Sequence, residues 1–177
     1  MLKVRDGEVG HLGVLFERYN GMLFNFFLRM TGKAQLSEDL VQEVFMRMLR
    51  YRHTYRDNGN FTTWMYKIAR HVRFDDLRKH RHEATLDGEE EKKHISRMPI
   101  PGEQMEKDQD TRFLHAALSQ LPADKREILI LSRFQYLKYE EIAELLGCEV
   151  GAVKVRVFRA IRELRETFID LVGEKAS

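Results

Sequence analysis

Residues 61–82, FTTWMYKIARHVRFDDLRKHRH, place flat aromatic side chains among cations. Phe61, the only tryptophan Trp64, Tyr66 and Phe74 are interleaved with Lys67, Arg70, Arg73, Arg78, Lys79 and Arg81. Six cations against Asp75 and Asp76 give this stretch a net charge of +4, in a chain whose total is only +2. Aromatic planes among positive charges suit one kind of chemistry: unstacked nucleobases resting on rings while their phosphates are neutralised. Helical spacing separates the two populations. Trp64, Ile68 and Val72 recur at i, i+4 and i+8, with Leu77 close to the same line, so these residues are expected to face a core. Lys67, Arg70, Arg73 and Phe74 lie towards the other side. For one helix in isolation, a solvated basic face is the commoner reading. The remainder of the chain has to decide.

No constellation for catalysis accompanies this stretch. The histidines are scattered, and His80 and His82, two residues apart, do not share a helical face. Neither a nucleophile–base pair nor a phosphate-binding loop is legible. Cys148, the single cysteine, falls in a turn and reads as a small buried filler rather than a redox switch or metal ligand. The expectation is a non-enzymatic protein with no cofactor, no metal site and no small-molecule substrate. One cysteine also excludes an internal disulfide framework and suits a reducing cytoplasm. No apolar run approaches membrane-spanning length, and the opening MLKVRDGEVG lacks a signal-peptide core. A cytoplasmic protein is therefore expected.

The elements that must position these residues are helical. With 43% apolar and 33% charged residues, 177 residues support one or two compact, soluble domains. Only three prolines and long 3.6-residue periods predict an all-α fold. A first helix is expected over about 9–30, where Leu12, Leu15, Phe16, Tyr19, Leu23, Phe26 and Met30 form an apolar stripe. Thr31-Gly32-Lys33 ends it, the glycine suiting a left-handed terminal position. A second helix is expected over about 36–53, capped by Ser37, with Glu38 and Asp39 in its first turn. Leu40, Val41, Val44, Phe45, Met48 and Leu49 make its buried face. Asp39, Gln42, Glu43 and Met46 share the opposite face, which reads either as solvated surface or, given the methionine, as a protein docking face. Arg56-Asp57-Asn58-Gly59-Asn60 is a turn by composition. It leads into the basic helix, and the three helices make a small bundle over 1–82.

Composition changes over 83–110, where nine acidic residues face four basic ones and Pro99 and Pro101 lie near Gly88 and Gly102. This stretch is expected to be a flexible acidic linker. Periodicity returns over 111–177. Phe113, Leu114, Ala117, Leu118 and Leu121 belong to one helix that Pro122 breaks, and Ile128, Leu129, Leu131 and Ser132 belong to the next, over about 123–134. A short helix over 139–146 turns Ile142, Ala143 and Leu146 inward. Gly147 makes a tight turn, and a longer helix from about 150 buries Val153, Val157, Ala160, Ile161 and Leu164. Helix, glycine turn and basic helix are the helix-turn-helix arrangement, whose second helix enters the major groove. The outer side of that helix offers Lys154, Arg156, Arg159 and Arg162, with small Gly151 and Ala152 near its start.

With both halves in view, the chain resembles an extracytoplasmic-function (ECF) sigma factor, the compact two-domain class within the sigma-70 family. LFERYNGMLFNFFLRMTG resembles the opening helix of that family, and SEDLVQEVFMRMLR its region 2.2. FTTWMYKIARHVRFDDLRKHRH is similar to regions 2.3 and 2.4, and LPADKREILILSRFQYLKYEEIAELLGCEVGAVKVRVFRAIRELR to region 4. The resemblance implies a region 2 bundle of three or four helices and a region 4 helix-turn-helix joined by the linker. It implies that Asp39, Gln42, Glu43 and Met46 dock on the β′ clamp helices of core RNA polymerase, with the β flap as a further contact. It implies recognition and melting of the promoter −10 element by Arg56, Asn58, Asn60, Phe61, Trp64, Lys67, Arg70, His71, Arg73 and Phe74. Gly151, Ala152, Lys154, Val155, Arg156 and Arg159 are implied to read the −35 element. The linker matches a family segment that threads towards the polymerase cleft. An anti-sigma factor, often at the membrane, is the implied regulator, and nucleoid association the implied location.

Several residues depart from the family pattern. His71 stands where asparagine is common, and Glu149 where a small hydroxyl or proline opens the recognition helix. Ala152 and Val155 replace hydroxylic residues, leaving apolar groups suited to thymine methyls. Phe158 replaces a polar residue, which points to packing or a partner contact. These changes bear on which promoter is read. The competing reading is a stand-alone helix-turn-helix regulator that binds duplex DNA without polymerase, and it leaves the Trp-containing basic helix without a duty.

Overall fold

A computed structural model describes the backbone of residues 1–57, 60–87 and 105–176. The described residues form eight α-helices and no strand: α1 (Leu2–Arg5), α2 (His11–Thr31), α3 (Ala34–Arg50), α4 (Phe61–Asp87), α5 (Met105–Gln120), α6 (Ala123–Leu129), α7 (Tyr139–Leu146) and α8 (Val150–Ala176). A 3₁₀ turn, Arg52–Thr54, follows α3, and a π-helical turn, Ile130–Phe134, follows α6. The chain divides into two compact units, Met1–Phe27 with Ala34–His94 and Leu28–Lys33 with Ile95–Ser177. The expected linker over 83–110 overlaps two helices, since α4 continues to Asp87 and α5 opens at Met105. Residues 88–104 of it lie outside the described residues.

In the first unit, α3 packs against α4, and Leu23, Phe26 and Phe27 of α2 are wholly buried. Around them lie Leu40, Val41, Val44, Phe45 and Met48 of α3, with Met65, Tyr66, Ile68, Ala69 and Val72 of α4. Edge-on ring contacts lock this core: Phe26 meets Phe27 at 5.2 Å and Tyr66 at 5.3 Å between centroids. Such pairs contribute roughly 0.5–1.5 kcal/mol beyond the area they bury.

The turn before α3 corrects its expected start. Gly32 adopts φ 70° and ends α2, as the sequence predicts, its N–H donating to the Leu28 carbonyl. The Lys33 N–H donates to the Thr31 hydroxyl, and α3 begins at once, at Ala34. Ser37 is therefore buried inside the helix rather than capping it, and Glu38 and Asp39 fall beyond the first turn. The helix also stops at Arg50, earlier than expected, because the chain tightens into the 3₁₀ turn. Two expected core residues lie outside. Phe16 is 42% exposed, with its ring only resting on Phe45, and Leu77 is 46% exposed because burial along α4 ends at Val72.

In the second unit, α8 packs on α5, α6 and α7. Its inner residues Val153, Val157 and Ala160 meet a core that includes Ala117, Leu118, Leu121, Ile128, Leu129, Ile130, Leu131, Leu137, Ile142, Ala143 and Leu145. Farther along, Phe113 faces Phe168 edge-on at 6.4 Å, and Lys125 pairs with Glu163. Leu145 takes the buried place expected of Leu146, and Ile161 is more than one-third exposed, so the inward faces of α7 and α8 are narrower than the sequence stripe. The expected helix over 123–134 widens into the π turn after Leu129. There the Ser132 hydroxyl takes up the Ile128 carbonyl at 2.7 Å, and the Gln135 N–H reaches back to Ile130. Arg126 binds the carbonyls of Ser119 and Leu121, closing the C-terminal end of α5.

Candidate nucleic-acid interface

Three helical faces hold the residues singled out above. On α3, the 3.6-residue period puts Leu40, Val41, Val44, Phe45 and Met48 inside, and turns Asp39, Gln42 and Met46 to solvent. Met46 is 59% exposed, an unusual position for a long apolar side chain. Glu43 lies half-buried beside it, because Arg47 of the next turn donates from Nε to its Oε1 at 2.6 Å. The four residues form one continuous face.

On α4, Asn60 occupies the N-cap. Its side-chain oxygen accepts from the Thr62 N–H at 2.9 Å and from the Thr62 hydroxyl at 2.7 Å. This start point sets which residues turn outward. Phe61 and Trp64 do not stand free: they join Tyr19 and Tyr55 in an aromatic cluster, with Tyr19–Phe61 at 4.9 Å and Tyr55–Trp64 at 5.3 Å between centroids. The Trp64 indole N–H points to the Thr54 hydroxyl at 3.4 Å. Both rings are half-buried, held by one side and open on the other. Tyr66 is wholly buried, and burial pushes its hydroxyl pKa up, so it belongs to the core. Farther along, Lys67, Arg70 and Arg73 are half-buried, His71 is exposed, and Phe74 is 65% exposed among them. Arg56 and Asn60 are exposed at the foot of the helix. Asn58 lies outside the described residues.

One feature of this face escapes the sequence. Arg47 on α3 reaches across to α4 and donates from Nη1 to Asp75 Oδ2 at 2.7 Å, while its Nε holds Glu43. The Arg47 hydrogen bond, above all, lowers the Asp75 pKa below the ordinary carboxylate value. Burial opposes the charge of Arg47, but its bonds to Glu43 and Asp75 outweigh that and raise its pKa. The Glu43–Arg47 spacing of i, i+4 is readable in the sequence. The bond to Asp75, 28 positions away, is a product of the fold.

In the second unit, the Lys138 N–H donates to the Glu141 carboxylate at 2.7 Å as α7 begins. Gly147 takes φ 64°, ψ 42° at its C-terminal end. The turn launches α8 at Val150, leaving Glu149 at the N-cap position, exposed. With Val153, Val157 and Ala160 inward, α8 presents Gly151, Lys154, Val155, Arg156 and Arg159 to solvent, Ala152 being half-buried. Phe158, 69% exposed, lies on the outer side as well. Arg162 is outward, its Nε 3.8 Å from Glu166. Cys148 is half-buried rather than a core filler. Among the described residues no group of three or more His, Cys, Asp or Glu side chains is placed to hold a metal ion.

Comparison with known proteins agrees with this division. The description "Sigma-70 region 2" matches residues 15–83, and "Sigma-70, region 4" matches residues 113–164. The RNA polymerase sigma factor CarQ of Myxococcus xanthus is 32% identical over 99% of this chain and 99% of its own length. The ECF RNA polymerase sigma factor SigX of Bacillus subtilis is 30% identical over 86% of this chain and 81% of its own. Among solved structures, the sigma factor RpoE in complex with the anti-sigma factor NepR from Bartonella quintana superposes with a TM-score of 0.75. It is 27% identical, covering 88% of this chain and 94% of that one. On these grounds the chain belongs to the sigma-70 family of RNA polymerase sigma factors, in its ECF branch.

Proposed function

We propose that the chain is an alternative sigma factor that binds core RNA polymerase, directs it to a particular class of promoters, and is held in check by an anti-sigma factor. The observation that carries this reading is the end-to-end match to a sigma factor, running through both units in the same order. The chain supplies recognition and the polymerase supplies the chemistry. Asp39, Gln42, Glu43 and Met46 form the polymerase-docking face. Met46 offers apolar area and the two carboxylates offer charge, the mixture expected of a protein interface. Phe74 and the cations around it, with the open sides of Phe61 and Trp64, receive the parted strand of the −10 element. There stacking and phosphate neutralisation offset the cost of unstacking bases. Lys154, Arg156 and Arg159 of α8 fix its register on duplex phosphates of the −35 element, while Gly151, Ala152 and Val155 allow close approach to base edges. Two modest readers on one chain gain through effective concentration, so the spacing between promoter elements becomes part of specificity. Location in the cytoplasm follows from this role. The anti-sigma partner is inferred from the likeness to the RpoE chain solved with NepR.

The test is run-off transcription with core polymerase on genomic promoter fragments. The unsubstituted chain supports promoter-specific initiation. The double variant Asp39→Ala, Glu43→Ala lowers core affinity by about tenfold or more, equivalent to at least about 1.4 kcal/mol, without loss of helicity. Unchanged core affinity in that variant removes the α3 assignment, and absence of specific transcripts from the unsubstituted chain removes the function.

A further inference from the structure

The Arg47 guanidinium uses two different N–H groups on two carboxylates that belong to two different helices. Nε meets Glu43 at 2.6 Å within α3, and Nη1 meets Asp75 at 2.7 Å on α4. Only about a fifth of the Arg47 side chain is exposed, so both bonds are sheltered from water, whereas Glu43 and Asp75 each keep an open side. Asp75 also faces a cation of its own helix. Its other oxygen, Oδ1, stands 3.4 Å from Nη2 of Arg78, one turn on, which is 75% exposed. That distance is long for a charge-assisted bond, which closes to about 2.7–2.9 Å. Arg47 holds the other oxygen, Oδ2, at the shorter 2.7 Å. Without that bond, nothing holds the carboxylate back from closing on Arg78 at i+3 and neutralising more of the positive charge of the basic helix.

We propose that Arg47 is a positioning residue serving both binding faces of the first unit: it fixes Glu43 for the polymerase and draws Asp75 away from the cations that meet the DNA strand. The inference rests on the assignment of those two faces made above. A planar fork does this and a point charge does not, so lysine is no substitute. Fixing Glu43 in one rotamer before docking removes an ordering cost from polymerase binding. Withdrawing Asp75 preserves the cation density that the strand meets. The two effects act through different N–H groups of one guanidinium, and they separate when Asp75 is changed as well.

The experiment uses holoenzyme assembled from full-length chain and core polymerase, with a mixed-sequence duplex carrying a short unpaired stretch as the DNA probe. Two quantities are read: core affinity, and the slope of log binding constant against log salt. Arg47→Met weakens core affinity by about three- to tenfold and makes the salt slope shallower by about 0.7, the contribution of one neutralised single-strand phosphate. Arg47→Lys behaves like Arg47→Met in both. Arg47→Met with Asp75→Asn recovers the salt slope but not the core affinity, a split that general loss of folding does not produce. A slope unchanged in Arg47→Met, or not recovered in the double variant, overturns the proposal. If Glu43→Ala leaves core affinity unchanged, the α3 assignment fails and takes the docking half of the proposal with it. If the unsubstituted chain does not bind core polymerase, the functional reading itself falls, and the proposal with it.

Discussion

Replacing Tyr136 by glycine should make the second unit more stable. Tyr136 has φ 55°, the only positive φ at a non-glycine position among the described residues, and its side chain is 84% exposed. It lies between buried Gln135 and buried Leu137, just after the π turn, where the chain must reverse to bury both neighbours. A left-handed conformation costs an L-residue with a side chain roughly 1–2 kcal/mol. Glycine avoids that cost but adds unfolded-state freedom worth about 0.5–1 kcal/mol. Because the ring is almost fully solvated, little burial is lost. The net gain is about 0.5–1 kcal/mol, which for a unit of this size raises its Tm by about 2–8 °C. Tyr136→Ala keeps the left-handed cost and should gain nothing. Calorimetry of the full chain, with Trp64 fluorescence followed in parallel, assigns the transitions, since the only tryptophan reports the first unit. A fall in Tm for Tyr136→Gly, or an equal rise for Tyr136→Ala, refutes the strain argument.

Arg126→Met should destabilise the second unit by about 2–3 kcal/mol, read as a lower urea midpoint, because the carbonyls of Ser119 and Leu121 lose a charged donor. His115 makes that unit sensitive to mild acid. Chiefly through burial, its folded-state pKa lies below 6.5, so the unfolded chain takes up the proton first. The stability this group contributes is fully present above about pH 6.5 and is lost as pH falls below it; His115→Leu should flatten the urea midpoint across about pH 7.5 to 5.5. On a −35 duplex, Lys154→Ala, Arg156→Ala and Arg159→Ala should each make the salt slope of holoenzyme binding shallower by about 0.9 for every phosphate that is no longer neutralised. A slope that stays put in all three removes them from the DNA face.

Helix identity was legible because each long element repeats its apolar residues at three- and four-residue steps, and that period places Asp39, Gln42 and Met46 outward opposite Leu40 and Val44. The limits of each stripe were not legible. Leu77, Phe16 and Ile161 fit their periods yet lie exposed, because a stripe says which way a residue turns and not whether another helix is there to receive it. Ser37 looked like a cap because serine before two acids favours one. The tight Thr31–Lys33 turn started the helix sooner and left that serine inside. Contacts that join distant positions were out of reach altogether: Tyr19 and Tyr55 gripping Phe61 and Trp64, or Arg47 gripping Asp75, arise only once α2, α3 and α4 have packed. The left-handed turn at Tyr136 had no glycine to announce it.

Helix α4 is 27 residues long, close to 40 Å at 1.5 Å per residue, but no side chain described beyond Val72 is buried. Its first half is nailed to a core, and the stretch bearing Arg78, Lys79 and Arg81 buries no described side chain. Like charges crowded along this stretch repel one another, so its winding should tighten when a polyanion neutralises them or salt screens them, and loosen at low ionic strength without one. Amide exchange would register this as a gradient along a single rod, slow at Met65 and fast at Arg81, levelled by bound nucleic acid.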